Sequence, residues 1–179
     1  MIDFHVRPTH ASDLSGLMAL DHTIRSDAVW QLELRRETGQ LSAMFREVRL
    51  PRPITLAYLQ DPFALADEWK HKSMMFTALS GADPIGYAAI VERGVASVAW
   101  ISDLIVGAGM RRNGVGSALL LAAQEWAQGK GIRRLMAEMQ SRNLPAIRMA
   151  QKHGYEFCGY NDHYYLSQDV ALFFARSLK

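Results

Sequence analysis

A single cysteine, Cys158, stands in the 179-residue chain. No internal disulfide can form, and no cysteine-based structural zinc site can be built. Cys158 falls in an apolar, strand-like run and reads as a buried structural thiol rather than a nucleophile. The 6 histidines show no ligand spacing, so no metal is expected. No apolar run approaches the ~20 residues that a bilayer span requires. No leader segment precedes the first strand, and a cytoplasmic protein without a membrane partner is the expectation. Neither sign of charge is in excess: 20 Lys+Arg against 18 Asp+Glu leave a net charge of +2. Both signs are scattered, no basic stripe forms, and no nucleic-acid partner is expected. Internal repeats and low-complexity linkers are lacking as well.

What is present suits one core. Hydrophobic residues make up 49% of the chain, enough to fill a single domain over residues 1–179. Residues Ile2–Arg7 alternate as a strand closed by Pro8. Thr9 or Ser12 then caps a helix whose Leu14, Leu17, Met18 and Asp21 recur by threes and fours. Trp30, Leu32 and Leu34 alternate with Gln31, Glu33 and Arg35 as a strand. Glu37-Thr-Gly39-Gln turns it into a second extended run through Phe45 and Val48 to Leu50, which Pro51 and Pro53 end. Asp61-Pro62 starts a short helix with Phe63, Leu65 and Trp69 on its apolar side. Lys72–Leu79 and Ile85–Val91 read as an antiparallel pair, with Val95–Val106 pairing next. Leu135–Met139 reads as another strand, and Ser141 or Asn143 caps a helix that carries Pro145 in its first turn and ends at Gly154. Tyr155–Tyr160 and Val170–Leu178 close the sheet. Strands and helices interleaved with antiparallel pairs predict a mixed α/β sheet.

The chain is organised around residues 103–121. An apolar strand, Trp100 to Val106, breaks into Gly107-Ala108-Gly109. Arg111-Arg112-Asn113-Gly114-Val115-Gly116 follows and leads into a helix read from Val115, Leu119, Ala122, Ala123 and Trp126. The first N–H groups of a helix have no internal partner, and the helix dipole adds partial positive charge there. Strand, glycine-rich turn and helix N-terminus together make a phosphate cradle. Gly114 and Gly116 let a main chain approach a pyrophosphate, and Arg111 and Arg112 supply fixed charge. No Gly-Lys-Ser/Thr follows, which excludes a Walker loop, and the spacing is not that of a dinucleotide fingerprint.

Arg111-x-x-Gly114-x-Gly116 resembles the [Gln/Arg]-x-x-Gly-x-[Gly/Ala] signature of the GNAT superfamily of acyl-CoA-dependent N-acyltransferases. Asn143-Leu-Pro-Ala146 followed by Gly154-Tyr155 resembles that family's Asn-x-x-Ala…Gly-[Phe/Tyr] run. Ala137-Glu-Met-Gln and Val29-Trp30-Gln31 are similar to streptothricin-acetyltransferase-like members. The resemblance implies a mostly antiparallel central sheet with helices on both faces, whose splayed central strands hold coenzyme A. It implies acetyl-CoA as acyl donor and an amine of a small molecule or protein as acceptor. The pyrophosphate would lie on Arg111, Arg112, Asn113, Gly114, Val115, Gly116 and Ser117, with Asn143 also on the donor. Leu104, Ile105 and Val106 would pair with the pantetheine arm and offer main-chain N–H groups to the thioester carbonyl. Residues 23–73, with Trp30, Phe45 and Trp69, would select the acceptor. The chain is compatible with a homodimer.

Acetyl transfer needs an unprotonated amine, a polarised carbonyl and a protonated leaving thiolate. Asp103 is the candidate base, and a structural hydrogen-bond acceptor is the alternative. Glu138 is a second candidate, with capping of the next helix as its competing role. Many relatives carry a tyrosine acid four residues after the alanine of Asn-x-x-Ala, and here that position is Ala150. Tyr155, Tyr160, Tyr164 and Tyr165 are out of register, so no acid is assigned. Two functions therefore fit the loop: an N-acetyltransferase, or a non-catalytic acyl-CoA-binding module, which Ala150 favours. The enzyme is the preferred reading, because a CoA thiolate can leave without a dedicated acid.

Overall fold

The computed structural model describes residues 2–93 and 97–179. Its strands are β1 (His5–Pro8), β2 (Ile24–Glu37), β3 (Gln40–Leu56), β4 (Met74–Ser80), β5 (Asp83–Glu92), β6 (Val98–Val106), β7 (Arg134–Gln140), β8 (Glu156–Asn161) and β9 (Ala171–Ser177). Its helices are α1 (Leu14–Met18), α2 (Leu65–Glu68), α3 (Val115–Gly129) and α4 (Leu144–Lys152). Seven strands form one sheet in the order β1-β4-β5-β6-β7-β9-β8, and β2 and β3 form a separate two-stranded sheet. Every pairing is antiparallel except that of β6 with β7. The mixed sheet with helices on both faces is therefore present. The expected start of β6 at Val95 lies outside the described residues.

Alternation along the strands divides the core in two. On one face α3 buries Val115, Leu119, Leu120, Ala123 and Ala127 against Ala88, Ile90, Ile101 and Leu135. On the other, Leu14 and Leu17 of α1 and Leu65 of α2 cover Met75, Tyr87, Ala89 and Ile105. The second layer is short, and it covers β4 to β6 only.

Two local readings change. The cap of the first helical turn is not Thr9 or Ser12: Thr9 Oγ1 pairs with Thr77 Oγ1 at 2.8 Å. The buried Asp13 carboxylate accepts the His10 N–H at 2.8 Å and a two-pronged Arg7 guanidinium at 2.7 and 2.9 Å. Nor do Pro51 and Pro53 end the strand, because β3 continues to Leu56. The register jumps there, from Ala28↔Arg49 to Ser26↔Ile54, so both prolines sit in a bulge where the ladder asks for no N–H.

The β2–β3 ribbon is fastened to α4 rather than to the cleft. Trp30 N–H donates to Ser141 O at 2.8 Å, Leu144 N–H to Ser26 Oγ at 3.4 Å, and Arg148 pairs with Glu47 at 2.7 Å. Trp30 and Phe45 join Phe157, Tyr160 and Phe174 in an aromatic cluster with centroids 5.3 to 6.4 Å apart. That spacing is the ordinary range for tilted and edge-to-face rings.

Candidate active site

The site begins where a ladder stops. β6 and β7 pair in parallel only from Val98↔Arg134 to Ile101↔Ala137, while β5 continues beside β6 to Gly86↔Val106. Beyond Ile101 the two central strands diverge, and among the described residues the β7-facing edge of residues 102–106 has no strand partner. Between them lies a cleft of about 1200 Å³, walled by Ile101–Ile105 on one side and Met136–Gln140 on the other. Leu104, Ile105 and Asn143 line it; Val106 leads out of it toward the glycine-rich turn.

That turn is built for main-chain donors. Asn113 Nδ2 donates to Met110 O at 3.4 Å and Arg111 O at 3.1 Å, closing the loop. Arg112 and Gly114 take left-handed φ of 68° and 88°, and Gly114 is the N-cap of α3. The first helical bond runs from Ala118 N–H to Gly114 O at 3.0 Å. The N–H groups of Val115, Gly116 and Ser117 precede any intrahelical acceptor, at the positive end of a 15-residue helix.

At three positions of the loop the side chain, or its absence, serves the protein's own packing and hydrogen bonding. Arg111 Nε donates to Val106 O at 2.9 Å, and its Nη2 to Asp21 O at 3.0 Å and Thr23 O at 2.6 Å. Its guanidinium thus straps the 21–23 loop to the end of β6, and only Nη1 is left for an anion. A Cβ on Gly116 would meet Met149 Sδ at 3.1 Å, so this glycine serves the packing of α3 on α4, whereas nothing lies within 4 Å of a Cβ on Gly114. Ser117 Oγ pairs with His153 Nε2 at 2.9 Å. Burial, then Lys152 and Arg176, lowers the His153 pKa. Arg112 remains exposed.

Asp103 is buried on the face covered by α1 and α2, and it lines the cleft. Tyr58 O–H donates to Oδ1 in a short bond, Ser102 Oγ donates to Oδ2 at 2.8 Å, and Lys72 Nζ lies 3.6 Å from Oδ2. The Tyr58 oxygen is 3.5 Å from that of Tyr87, which lies 3.3 Å from His22 Nε2. His22 Nδ1 donates to Leu20 O at 2.7 Å, leaving Nε2 to accept from Tyr87. Burial, then the Asp103 charge, raises the pKa of both phenols, so they stay protonated as donors. Sequence reasoning missed Tyr58, Lys72, Tyr87 and His22. No local pattern carries bonds that span 45 and 65 residues.

Glu138 does not cap α4. Asn143 does, its Oδ1 accepting Ala146 N–H at 3.2 Å, which leaves the Asn143 amide N–H groups for a ligand. Glu138 instead accepts Tyr164 O–H at 3.2 Å and Tyr165 O–H at 3.0 Å. Ala150 is buried and lines the cleft beside Tyr155. Tyr155 is 3% exposed, its hydroxyl packed near Gln124 without a hydrogen bond of ordinary geometry, and burial pushes its pKa up to about 12. Cys158 is exposed, not buried, because its strand β8 lies at the sheet edge. Of residues 23–73, the cleft receives Ile24, Ala57–Gln60, Glu68 and Lys72 but not Trp30, Phe45 or Trp69, which pack into the cores. Among the described residues no cluster of three or more His, Cys, Asp or Glu is placed to hold a metal, and no helix is long and apolar enough to cross a membrane.

Comparison with known proteins agrees with this geometry. Residues 41–155 match the family described as Acetyltransferase (GNAT) family. Streptothricin acetyltransferase of Streptomyces lavendulae is 25% identical over 167 residues, covering 90% of this chain and 86% of that protein. The crystal structure of nourseothricin acetyltransferase superposes with a TM-score of 0.82 at 25% identity, over 98% of this chain and 99% of the other. A candidate streptothricin acetyltransferase from Bacillus anthracis, solved in complex with acetyl coenzyme A, superposes with a TM-score of 0.81 at 21% identity, over 99% and 100% of the two chains.

Proposed function

The chain belongs to the acetyltransferase (GNAT) family and moves an acetyl group from acetyl-CoA to an amine; we propose that its acceptor is a small basic molecule of the streptothricin kind, acetylated on a primary amine. The observation that carries this reading is the pair of carboxylates, Asp103 and Glu138, on one sheet face of the two strands that diverge. Asp103 lies two residues beyond the last β6–β7 pair and Glu138 one residue beyond it. An ammonium-bearing molecule entering there meets the Glu138 carboxylate on one wall and Asp103, with Lys72 beside it, on the other.

In this reading the donor enters from the α3 end. Its pyrophosphate rests on the N–H groups of Val115, Gly116 and Ser117, with Arg112 beside it, and Gly114 leaves the main chain open to close approach. The pantetheine arm runs along the unpaired edge of Leu104–Val106, joined by the Asn143 amide. A main-chain N–H of that edge polarises the thioester carbonyl. The amine attacks the carbonyl carbon and its proton passes to Asp103, directly or through a water. Tyr58, Ser102 and Lys72 hold that carboxylate in place. The C–S bond breaks, and the thiolate takes its proton from solvent, for which Ala150 leaves room. The single cysteine and the acyl-CoA donor suit a cytoplasmic setting.

The test is a panel of amines with acetyl-CoA, following free thiol. Streptothricin and other polyamines should release thiol well above simple monoamines. Equal rates for monoamines and polyamines, or a preference for acidic peptides, would contradict the acceptor assignment.

A further inference from the structure

The face that carries Asp103 extends past the cover of α1 and α2 onto β7 and β9, where Tyr164 and Tyr165 lie over it. Four aromatic rings meet there. Trp100 on β6 stands edge-to-face on Phe173 of β9, with centroids 6.0 Å apart and planes at 90°. Tyr164 stands on the same Phe173 at 6.2 Å and 85°, and Tyr165 stands on Tyr164 at 5.1 Å and 86°. Glu138 is the residue opposite Phe173 in the β7–β9 ladder, and its two oxygens each accept one of the tyrosine hydroxyls. All five side chains line the cleft.

The chemistry of this box is that of an organic cation's partner. An edge-to-face contact covers one face of one ring of the pair, and a cation over an uncovered face is attracted by the ring quadrupole. A carboxylate offers about four lone-pair sites, and the tyrosines occupy two of them. Among the described residues, Glu138 takes part in no salt bridge, although Arg93 and Arg134 line the same cleft. The phenols orient the charge without neutralising it. Asp103, by contrast, already has Lys72 as a counter-charge.

We propose that Trp100, Glu138, Tyr164, Tyr165 and Phe173 form a subsite for a second, non-reacting alkylammonium group of the acceptor. The acceptor is then at least a dication: one amine reacts beside Asp103 while the other is held in the box. This rests on the acceptor reading of the cleft given above, and it adds a reason why polyamines are preferred over monoamines. Glu138 is a binding residue here and not a base.

The test uses binding, so that it does not depend on turnover. The intact protein is saturated with CoA, and calorimetry measures the affinity of a series of linear diamines and of the matching monoamines. The best diamine should bind about tenfold tighter than its monoamine, the scale of one added cation contact with a ring and a charge. Glu138→Gln and, separately, Tyr164→Leu should each remove most of that advantage, lowering diamine affinity by a larger factor than monoamine affinity. Both side chains are exposed, so both variants should fold. Equal affinity of diamines and monoamines in the parent protein would overturn the subsite, as would an advantage that survives Glu138→Gln. Failure of the acetyl-transfer reading would look different: no thiol release from acetyl-CoA with any amine, whatever binds in the box.

Discussion

At the α3 end of the cleft, the groups that face a ligand are main-chain N–H groups from consecutive residues, 115–117, opened by a left-handed Gly114. At the Asp103–Glu138 end, they are side chains drawn from strands and loops between His22 and Phe173, linked by bonds such as Tyr58 to Asp103 and Tyr165 to Glu138. One end is a backbone shape and the other an assembly of side chains. A donor common to many acetyltransferases can be met by the first. An acceptor that differs between them calls for the second. Substitutions should therefore separate the two ends, and five of them test how far.

The largest effect is expected at Asp103. Replacing it with Asn should lower kcat by ~10²–10⁴-fold, the usual scale for a positioned base, while acetyl-CoA affinity stays as it was. A loss confined to KM or to stability would return Asp103 to a structural role and remove the chemistry from the acceptor end.

The adjacent arginines should part company next. Arg111→Ala removes three hydrogen bonds to main-chain carbonyls, so urea unfolding should show a stability loss of about 1–3 kcal/mol. Arg112→Ala should leave stability alone and weaken CoA binding by roughly 0.5–1 kcal/mol, as an exposed charge does. The opposite pattern would make Arg111 the phosphate ligand and undo the view of the α3 end as chiefly main chain.

A smaller effect concerns pH. Burial first, then Lys152 and Arg176, holds the His153 pKa below the ordinary 6.5. The unfolded chain then binds a proton more readily than the folded one. This contribution to stability is full above about pH 6.5 and is lost as pH falls through the window below it. His153→Gln should flatten that acid limb in unfolding curves. An unchanged limb would mean that the Ser117–His153 contact does not couple to protonation.

The smallest effect is expected at Tyr155. Its phenol is enclosed and lies against Gln124, so Tyr155→Phe should change kcat by less than about twofold, where a positioned acid would cost ~10²–10⁴-fold. A hundredfold loss with CoA affinity intact would make Tyr155 the acid that Ala150 is not.

The same contrast explains what could be read from the chain. The α3 end was legible because its parts are local: strand, turn, glycine and helix stripe follow one another, and a main-chain site needs only that order. Which arginine faces outward was not, since Arg111 and Arg112 differ only in what a distant loop, Asp21 to Thr23, presents to them. The sheet followed from alternation, yet alternation shows that a face is buried and not against what. Trp30 and Phe45 were thus expected at the acceptor and are found under the β2–β3 ribbon with Phe157 and Phe174. Pro51 and Pro53 misled because a bulge, invisible in sequence, absorbs them. The ring box around Glu138 depends on pairing β7 with β9, which no local pattern specifies.

The most direct measurement is a parallel count of thiol and product. Protein, acetyl-CoA and streptothricin are incubated; free CoA thiol is titrated, and the acceptor is weighed by mass spectrometry. The account predicts one thiol released for each acetyl group gained, with the acetyl on a primary amine. Tight acetyl-CoA binding with no thiol release above spontaneous hydrolysis, for streptothricin and for every diamine, would contradict it and leave a binding module in place of an enzyme.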